Sequence, residues 1–297
     1  MHTAKKDHYQ LITSRIVEQL EAGVRPWHQP WNAKHAAGSI TRPLRFNGQK
    51  YHGINVVVLW LSGLEGGFSC PIWMTFQQAK ELGAYVKKGQ KGTTVVYANQ
   101  IEKSETDPET GEETTQKIPF LKSYTVFNVD QIEGLPTHYY AREKQNTNDQ
   151  ERLNHVEEYF RNTLATVKHG GERAFYHPRE DYIQLPDYAT FDNRERYYST
   201  FAHEAVHWTG HERRLHRQLD KNRFGDAAYS IEELIAELGA AFLCADLQIT
   251  PEVMPEHASY LHSWLRVLKE DARAIFTAAA QAEKAVEFLH NLQPMTE

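Results

Sequence analysis

The fold of the C-terminal half is decided by a short stretch, His203-Glu204-Ala205-Val206-His207, which stands in a predicted helix over residues 194–211. Positions i and i+4 of a helix share one face, so the two imidazoles can reach a single divalent cation. The carboxylate of Glu204 lies beside them, where it can act as a general base on water. The plainer interpretation is that the two histidines only line a helix face. The neighbouring residues are apolar, however, and buried imidazoles and carboxylates are costly unless they have partners.

A catalytic metal site of this kind needs a third protein ligand. The predicted helix over residues 230–247 contains Glu233-Leu234-Ile235-Ala236-Glu237, in which the two carboxylates share one face. We assign Glu233 as the metal ligand and Glu237 as the partner that orients a ligand histidine; the reverse assignment stays open. Glu232 is expected to point elsewhere. Competing third ligands in the charged stretch and loop between the helices are His211, His216 and Asp226.

The donor set of two imidazoles and one carboxylate favours one divalent ion, with Zn²⁺ first and Mn²⁺, Co²⁺ or Fe²⁺ as the other ions that such a set accepts. A structural zinc is normally closed by four protein ligands, and only three good candidates are found here. A purely structural site also has no need of a base such as Glu204. The sequence therefore favours an open, catalytic site.

Charge is distributed unevenly along the 297 residues. Residues 1–101 contain 12 Lys and Arg against 5 Asp and Glu, a balance of +7, whereas residues 102–297 have a balance of −13. This asymmetry indicates different partners for the two parts. The segment 136–151 carries a long polar run and is the best candidate linker. We therefore predict one domain at residues 1–135, a linker at 136–151 and a second domain at 152–297.

Bulk composition excludes several classes of protein. No stretch approaches the roughly 20 apolar residues that a membrane helix needs, and the first residues lead into an amphipathic helix rather than an apolar signal core. We expect a cytoplasmic location and no membrane partner. Cys70 and Cys244 are far apart in apolar surroundings, so two free thiols are expected rather than a disulfide framework.

Hydrophobic periodicity predicts an α+β fold. In the first half, helices are predicted over 7–23, 53–63 and 75–83, the last capped by Thr75, and strands over 93–98 and 120–129 flank an exposed tip at 103–117. In the second half, helices are predicted over 152–168, 194–211 and 230–247, with one or two more over 256–290 and a strand pair within 174–185. The first domain is thus a mixed domain with an antiparallel hairpin, and the second is mostly helical.

The first third interleaves cations with aromatic rings, the combination that binds single-stranded nucleic acid: cations follow the phosphates and rings stack on bases. Trp60 and Trp73 stand in apolar runs and are expected in the core, whereas Trp27 and Trp31 in a proline-bound loop are the better stacking candidates. A fragment ending near residue 135 is expected to bind single-stranded DNA alone. The candidate DNA-binding residues are Arg25, Trp27, Trp31, Arg42, Arg45, Tyr51, Lys87, Lys88 and Lys91.

The C-terminal half resembles the gluzincin group of metallopeptidases. The stretch Glu233 to Glu237 is similar to the E-x-x-A-[DN] segment that follows H-E-x-x-H in that group, where the first glutamate binds the metal. Glu237 stands where gluzincins usually have Asp or Asn. The strand Asp181 to Pro186 resembles the edge strand along which these enzymes pair an extended substrate. The resemblance covers roughly residues 150–290 and implies a metallopeptidase of unknown substrate.

The N-terminal half resembles the first domain of the ArdC-type antirestriction proteins, to which part of the TraC-type plasmid primases is related. The residues that carry the resemblance are Pro26-Trp27, Pro30-Trp31, Asn47-Gly48, Tyr51, Gly53-Ile54-Asn55, Trp73, Thr75, Val86-Lys87-Lys88-Gly89 and Lys91-Gly92. The family implies a conjugative-plasmid protein that binds single-stranded DNA and protects incoming DNA from host restriction.

Two other functions stay open beside this one. The first is a DNA-binding shield whose metal site is structural. The second is a peptidase that uses DNA as a scaffold to find a protein target, such as a component of the host restriction machinery.

Overall fold

The α+β fold that the sequence predicts is confirmed by a computed structural model, which describes residues 7–28, 41–106, 113–140, 149–217, 227–249 and 260–294. Its helices are α1 (His8–Glu21), α2 (Ile54–Gly66), α3 (Phe76–Glu81), α4 (Asp149–Asn162), α5 (Arg194–Thr209), α6 (Ala227–Leu247), α7 (Leu261–Glu270) and α8 (Ala274–Asn291). Its strands are β1 (Leu44–Arg45), β2 (Ile72–Thr75), β3 (Tyr85–Val86), β4 (Thr93–Thr106), β5 (Glu113–Asn128), β6 (Ile132–Glu133), β7 (Thr166–His169), β8 (Phe175–His177) and β9 (Tyr182–Leu185).

The first half is built on a four-stranded sheet of order β1-β2-β5-β4, in which the β4–β5 hairpin is antiparallel. Thr75 caps α3 as predicted, in a reciprocal capping box with Gln78. The predicted strands are too short, because β4 and β5 stay paired as far as Thr106 and Glu113, within the segment 103–117 that was expected to be the tip. Backbone pairing needs no apolar side chains, and threonine favours extended backbone. The turn itself, 107–112, lies outside the described residues.

The second half combines a three-stranded sheet of order β7-β9-β8 with helices α4 to α8. The predicted helix over 152–168 is too long: α4 ends at Asn162, Leu164 adopts a left-handed backbone with φ of 56°, and β7 follows. β7 is recognised only by its parallel pairing with β9, a contact that local periodicity does not report. The strand pair within 174–185 is present as β8 and β9.

One apolar core runs through both halves of the chain. The ring of Trp60 in α2 lies 5.7 Å from that of Phe242 in α6, and the Thr13 hydroxyl of α1 donates to the backbone oxygen of Ala272, at 2.6 Å. Buried residues of α1, α2, α5, α6 and α8 belong to the same cluster. A fragment cut between the halves would expose this shared core. The prediction that residues 1–135 act alone therefore meets a physical obstacle, and the domain boundaries stay a prediction.

The start of the predicted linker packs against the first half. Tyr139 is buried beside Met74 and Ile132, in a smaller core cluster. Residues 141–148 lie outside the described residues. None of the described helices is both long enough and apolar enough to span a membrane.

Candidate metal centre

Helices α5 and α6 pack closely and bring the predicted metal ligands together. At their contact, a Cβ added to Gly239 would lie only 2.8 Å from a methyl group of Val206, so the glycine permits the close approach. The Nε2 atoms of His203 and His207 are 3.2 Å apart. Glu233 places Oε2 3.6 Å from His203 Nε2 and Oε1 3.7 Å from His207 Nε2. Among the described residues, these three form the more buried of two groups whose donor atoms could hold a metal; the other, His52, Glu283 and Glu287, is mostly exposed.

The three donors fit a divalent cation. Ligand atoms that lie about 2.0–2.2 Å from one zinc ion at a tetrahedral angle are roughly 3.3–3.6 Å apart, close to the separations seen here. The group opens into a cleft of about 770 Å³, which Glu204 also lines. Among the described residues the site offers three candidate ligands, an open side and a carboxylate within the cleft, which is the arrangement of a catalytic rather than a closed structural site. Of the competing third ligands, His216 is exposed and Asp226 lies outside the described residues.

Glu232 was expected to point away from the metal site, but its carboxylate faces His207. Its Oε1 lies 3.1 Å from His207 Nδ1, and Arg217 donates to both of its carboxylate oxygens at 3.0 Å. Because successive residues on a helix differ by about 100°, periodicity placed Glu232 off the ligand face. His207 comes from another helix, and its ring lies between the side chains of Glu232 and Glu233, so that each carboxylate faces one of its nitrogens.

Glu237 is 2% exposed, and its Oε2 lies 3.8 Å from Nδ1 of His203. This placement agrees with the role proposed for it as the orienting partner rather than the ligand. Sequence reasoning missed Tyr229, which lines the cleft and whose hydroxyl is 3.0 Å from that of Tyr260. Tyr229, Glu233 and Glu237 recur every four residues on one helix face, so a signal for Tyr229 was present.

Two pKa values reflect the density of charge in the site. Burial alone would raise the pKa of Glu233, but a hydrogen bond from His203 and the charges of His207 and His203 lower it to about 2. Burial lowers the pKa of His207, whereas the hydrogen bond to Glu232 and the charges of Glu233, Glu232 and Glu204 raise it to about 9. Without a cation, the carboxylates attract a proton to His207, and metal binding releases that proton.

The prediction that the stretch 181–186 is an edge strand for substrate pairing is wrong. β9, which contains most of the stretch 181–186, is the central strand of its sheet and has no free edge. β8 is an outer strand, and Phe175 and Tyr176 on it line the cleft. The candidate strand for pairing with an extended peptide is therefore β8.

Several predicted DNA-binding residues are buried and hence unavailable to DNA. Trp27 is 0% exposed, with its ring 6.4 Å from that of Trp264, and Tyr51 is 3% exposed. Arg25 pairs with Glu237, and Arg42 pairs with Glu283 and Asp246. The prediction of stacking or phosphate contact is wrong for these four residues. Cations and aromatic rings in a loop can either bind DNA or pack against another part of the same chain. Here residues 25–28 pack against the acidic second half.

The remaining candidates differ in their accessibility. Lys88 and Lys91 are exposed, while Lys87 is half-buried and donates to the backbone oxygen of Asp130 at 2.9 Å. Arg45 is half-buried over the ring of Tyr51. Trp31 lies outside the described residues.

Comparison with known proteins agrees with this organisation. Residues 154–281 match the zincin-like metallopeptidase family, and residues 6–127 match the N-terminal domain of anti-restriction factor ArdC. The fold and the site thus define a protein with a zincin-like metallopeptidase domain behind an ArdC-type N-terminal domain. The metal-free crystal structure of the antirestriction protein ArdC from plasmid R388 is 46% identical in sequence, with a TM-score of 0.80, over 96% of this chain and 97% of that one. The chain belongs to the ArdC antirestriction protein family.

Other relatives extend the comparison. The Mn(II)-bound structure of R388 ArdC is 45% identical with a TM-score of 0.77, over 96% of this chain and 98% of that one, so a divalent metal binds within the family. An uncharacterized protein of Sinorhizobium fredii, y4eC, is 36% identical over 97% of this chain and 92% of its own length. A DNA primase TraC of Escherichia coli is 38% identical over 97% of this chain, which spans only 27% of that primase.

Proposed function

We propose that this protein acts in the cytoplasm as an antirestriction protein with a metal-dependent peptide-hydrolysing site. His203, His207 and Glu233 bind the ion, with Zn²⁺ favoured, and Glu204 is the general base. The observation that carries the proposal is the convergence of three ligand atoms from α5 and α6 in a cleft that the carboxylate of Glu204 also lines.

The chemistry follows from the positions of these residues. A bound divalent ion supplies Lewis acidity, which polarises a carbonyl group and lowers the pKa of water. The carboxylate of Glu204 takes the proton of the attacking water and delivers it to the leaving nitrogen. Glu232 and Glu237 hold the imidazoles of His207 and His203 in orientation. The outer edge of β8 would hold the substrate backbone in an extended form beside the cleft.

The test separates metal binding from catalysis. Purified His203→Ala is expected to lose the ion that the wild-type protein binds, while Glu204→Gln retains it, because Glu204 is not a ligand. In cells, transfer of unmodified plasmid DNA into a restricting recipient is measured with each variant. Loss of protection in Glu204→Gln supports a peptidase that antirestriction requires. Full protection by Glu204→Gln would overturn the catalytic proposal and favour the DNA-binding shield.

Single-stranded DNA is the proposed partner of the first half. The exposed turn that carries Lys88 and Lys91 follows the strand β3, whose Tyr85 is 59% exposed and carries an accessible ring. Exposed cations and an accessible ring in one segment of the chain are the combination that binds single strands without reading sequence. A binding assay with single-stranded and duplex DNA of equal length tests the proposal, and equal affinity for both would contradict it.

A further inference from the structure

A segment of the first half reaches the face of α6 that bears the metal site. Nη1 of Arg25 lies 3.3 Å and Nε2 of His28 lies 2.6 Å from the same carboxylate oxygen, Oε1 of Glu237. The three side chains are 9%, 8% and 2% exposed. The guanidinium of Arg25 also lies over the ring of Trp264, which packs against Trp27. Residues 25–28 are therefore anchored in the second half.

The other oxygen of Glu237 faces the metal site. Oε2 lies 3.8 Å from Nδ1 of His203, whose Nε2 is turned towards Glu233. A histidine that binds a metal through one ring nitrogen usually presents the other to a carboxylate, which sets the orientation of the ring. We propose that Arg25 and His28 are positioning residues of the metal centre, which hold Glu237 so that it orients His203.

The second histidine of the site shows the same arrangement within its own domain. His207 Nδ1 faces Glu232, and Arg217 holds that carboxylate with two hydrogen bonds. Each imidazole is thus backed by a glutamate, and each glutamate by an arginine. The difference is the origin of the arginine: Arg217 belongs to the metallopeptidase half, whereas Arg25 belongs to the first half.

The physical reason is the environment of Glu237. A carboxylate that is almost fully buried needs charged partners and hydrogen-bond donors, and removal of one partner leaves it poorly compensated. Arg25 and His28 provide this charge and these donors at Oε1 of Glu237, and the other oxygen, Oε2, is thereby directed towards His203. Metal binding and the docking of residues 25–28 are therefore coupled, and the coupling acts equally in both directions.

Arg42 provides a matched control for Arg25. It is also a buried arginine of the first half that pairs with carboxylates of the second, Glu283 and Asp246. Asp246 lies nine residues beyond Glu237 on α6, about 14 Å along the helix. Loss of either arginine breaks a buried ion pair between the halves, but of the two only Arg25 contacts a residue that faces the His203, His207 and Glu233 site.

The experiment measures Zn²⁺ and Mn²⁺ dissociation constants of the full-length protein by competition with a chelating dye. Arg25→Gln is expected to weaken binding roughly 10–100-fold, with Arg25→Lys and His28→Gln between it and the wild type. Arg42→Gln should bind within about twofold of the wild type, although thermal unfolding of the metal-free protein shows a comparable loss of stability. The visible spectrum of the Co²⁺ protein should change in Arg25→Gln and not in Arg42→Gln.

The inference rests on the proposed metal site, and the outcomes separate the two. A wild-type protein that binds no divalent ion overturns the proposed site itself. Wild-type affinity in Arg25→Gln, or equal loss in Arg25→Gln and Arg42→Gln, overturns only the positioning role. If Arg25→Gln does not fold, Arg25→Lys and His28→Gln decide, and wild-type affinity in both refutes the role.

Discussion

Replacement of Trp27 by alanine distinguishes a core residue from a DNA-stacking residue. Trp27 is 0% exposed and packs against Trp264. A fully buried aromatic side chain removes about 200 Å² from water, which at about 25 cal/mol per Å² corresponds to about 5 kcal/mol. Buried Trp→Ala substitutions cost about 3–5 kcal/mol. We therefore expect Trp27→Ala to lower the free energy of unfolding by about 4 kcal/mol.

Urea unfolding followed by circular dichroism measures this loss, and Tyr85→Ala serves as the control. Tyr85 is an exposed ring of the same half, so its removal should change the free energy of unfolding by no more than about 0.5 kcal/mol. Under native conditions, Trp27→Ala should bind single-stranded DNA like the wild type.

The opposite pattern would refute the reasoning. If Trp27→Ala is as stable as the wild type but loses about 1–3 kcal/mol of DNA-binding free energy, the ring stacks on bases. In that case the buried position of Trp27, and the docking of residues 25–28 that depends on it, is wrong.

Three further predictions concern the metal site, acid stability and DNA. Glu232→Gln should weaken metal binding roughly 10–100-fold, because His207 loses its anionic partner; unchanged affinity in the dye competition would remove Glu232 from the site. Burial raises the pKa of Glu283, but the His52 hydrogen bond and the Arg42 charge lower it from 4.5 to about 2. A lowered pKa in the folded state adds stability above about pH 4.5 that is lost as the pH falls towards 2. Glu283→Gln should therefore be less stable than the wild type at pH 7, and it should lose less stability than the wild type as the pH falls from about 4.5 towards 2. An acid unfolding curve identical to that of the wild type would contradict this prediction. Lys88→Ala and Lys91→Ala should each reduce the salt dependence of DNA binding by about one unit of slope, and unchanged slopes in both would show that the turn makes no phosphate contact.

Local signals in the sequence predicted most of the secondary structure. Thr75 followed by Gln78 is a capping box that depends only on residues within one turn, and α5 and α6 follow from their apolar periodicity. β7 was not predictable in this way, because a short strand of four residues is defined by its partner β9. The order β7-β9-β8, which makes β8 rather than β9 an outer strand, is likewise a tertiary property.

The candidate metal site could be predicted in part because two of its proposed ligands lie on one helix. His203 and His207 are four residues apart, so helix geometry alone directs them to one side, and Glu233 follows from a second stripe of the same period. The roles of Glu232 and Arg217 depend on how α5 packs against α6 at Gly239. No local pattern reports a contact between two helices.

What the sequence determined by itself was the chemistry that each segment offers: a pair of imidazoles with a base on one helix, carboxylates on another, and a basic, aromatic first third. Only the tertiary structure decided where the charges of that first third are used. Arg25 and Arg42 are inside the protein, paired with Glu237 and Glu283, because a buried carboxylate is costly unless charged partners and hydrogen bonds compensate it. The same positive charge serves equally well for a phosphate or for a carboxylate of its own chain, and composition cannot distinguish the two partners.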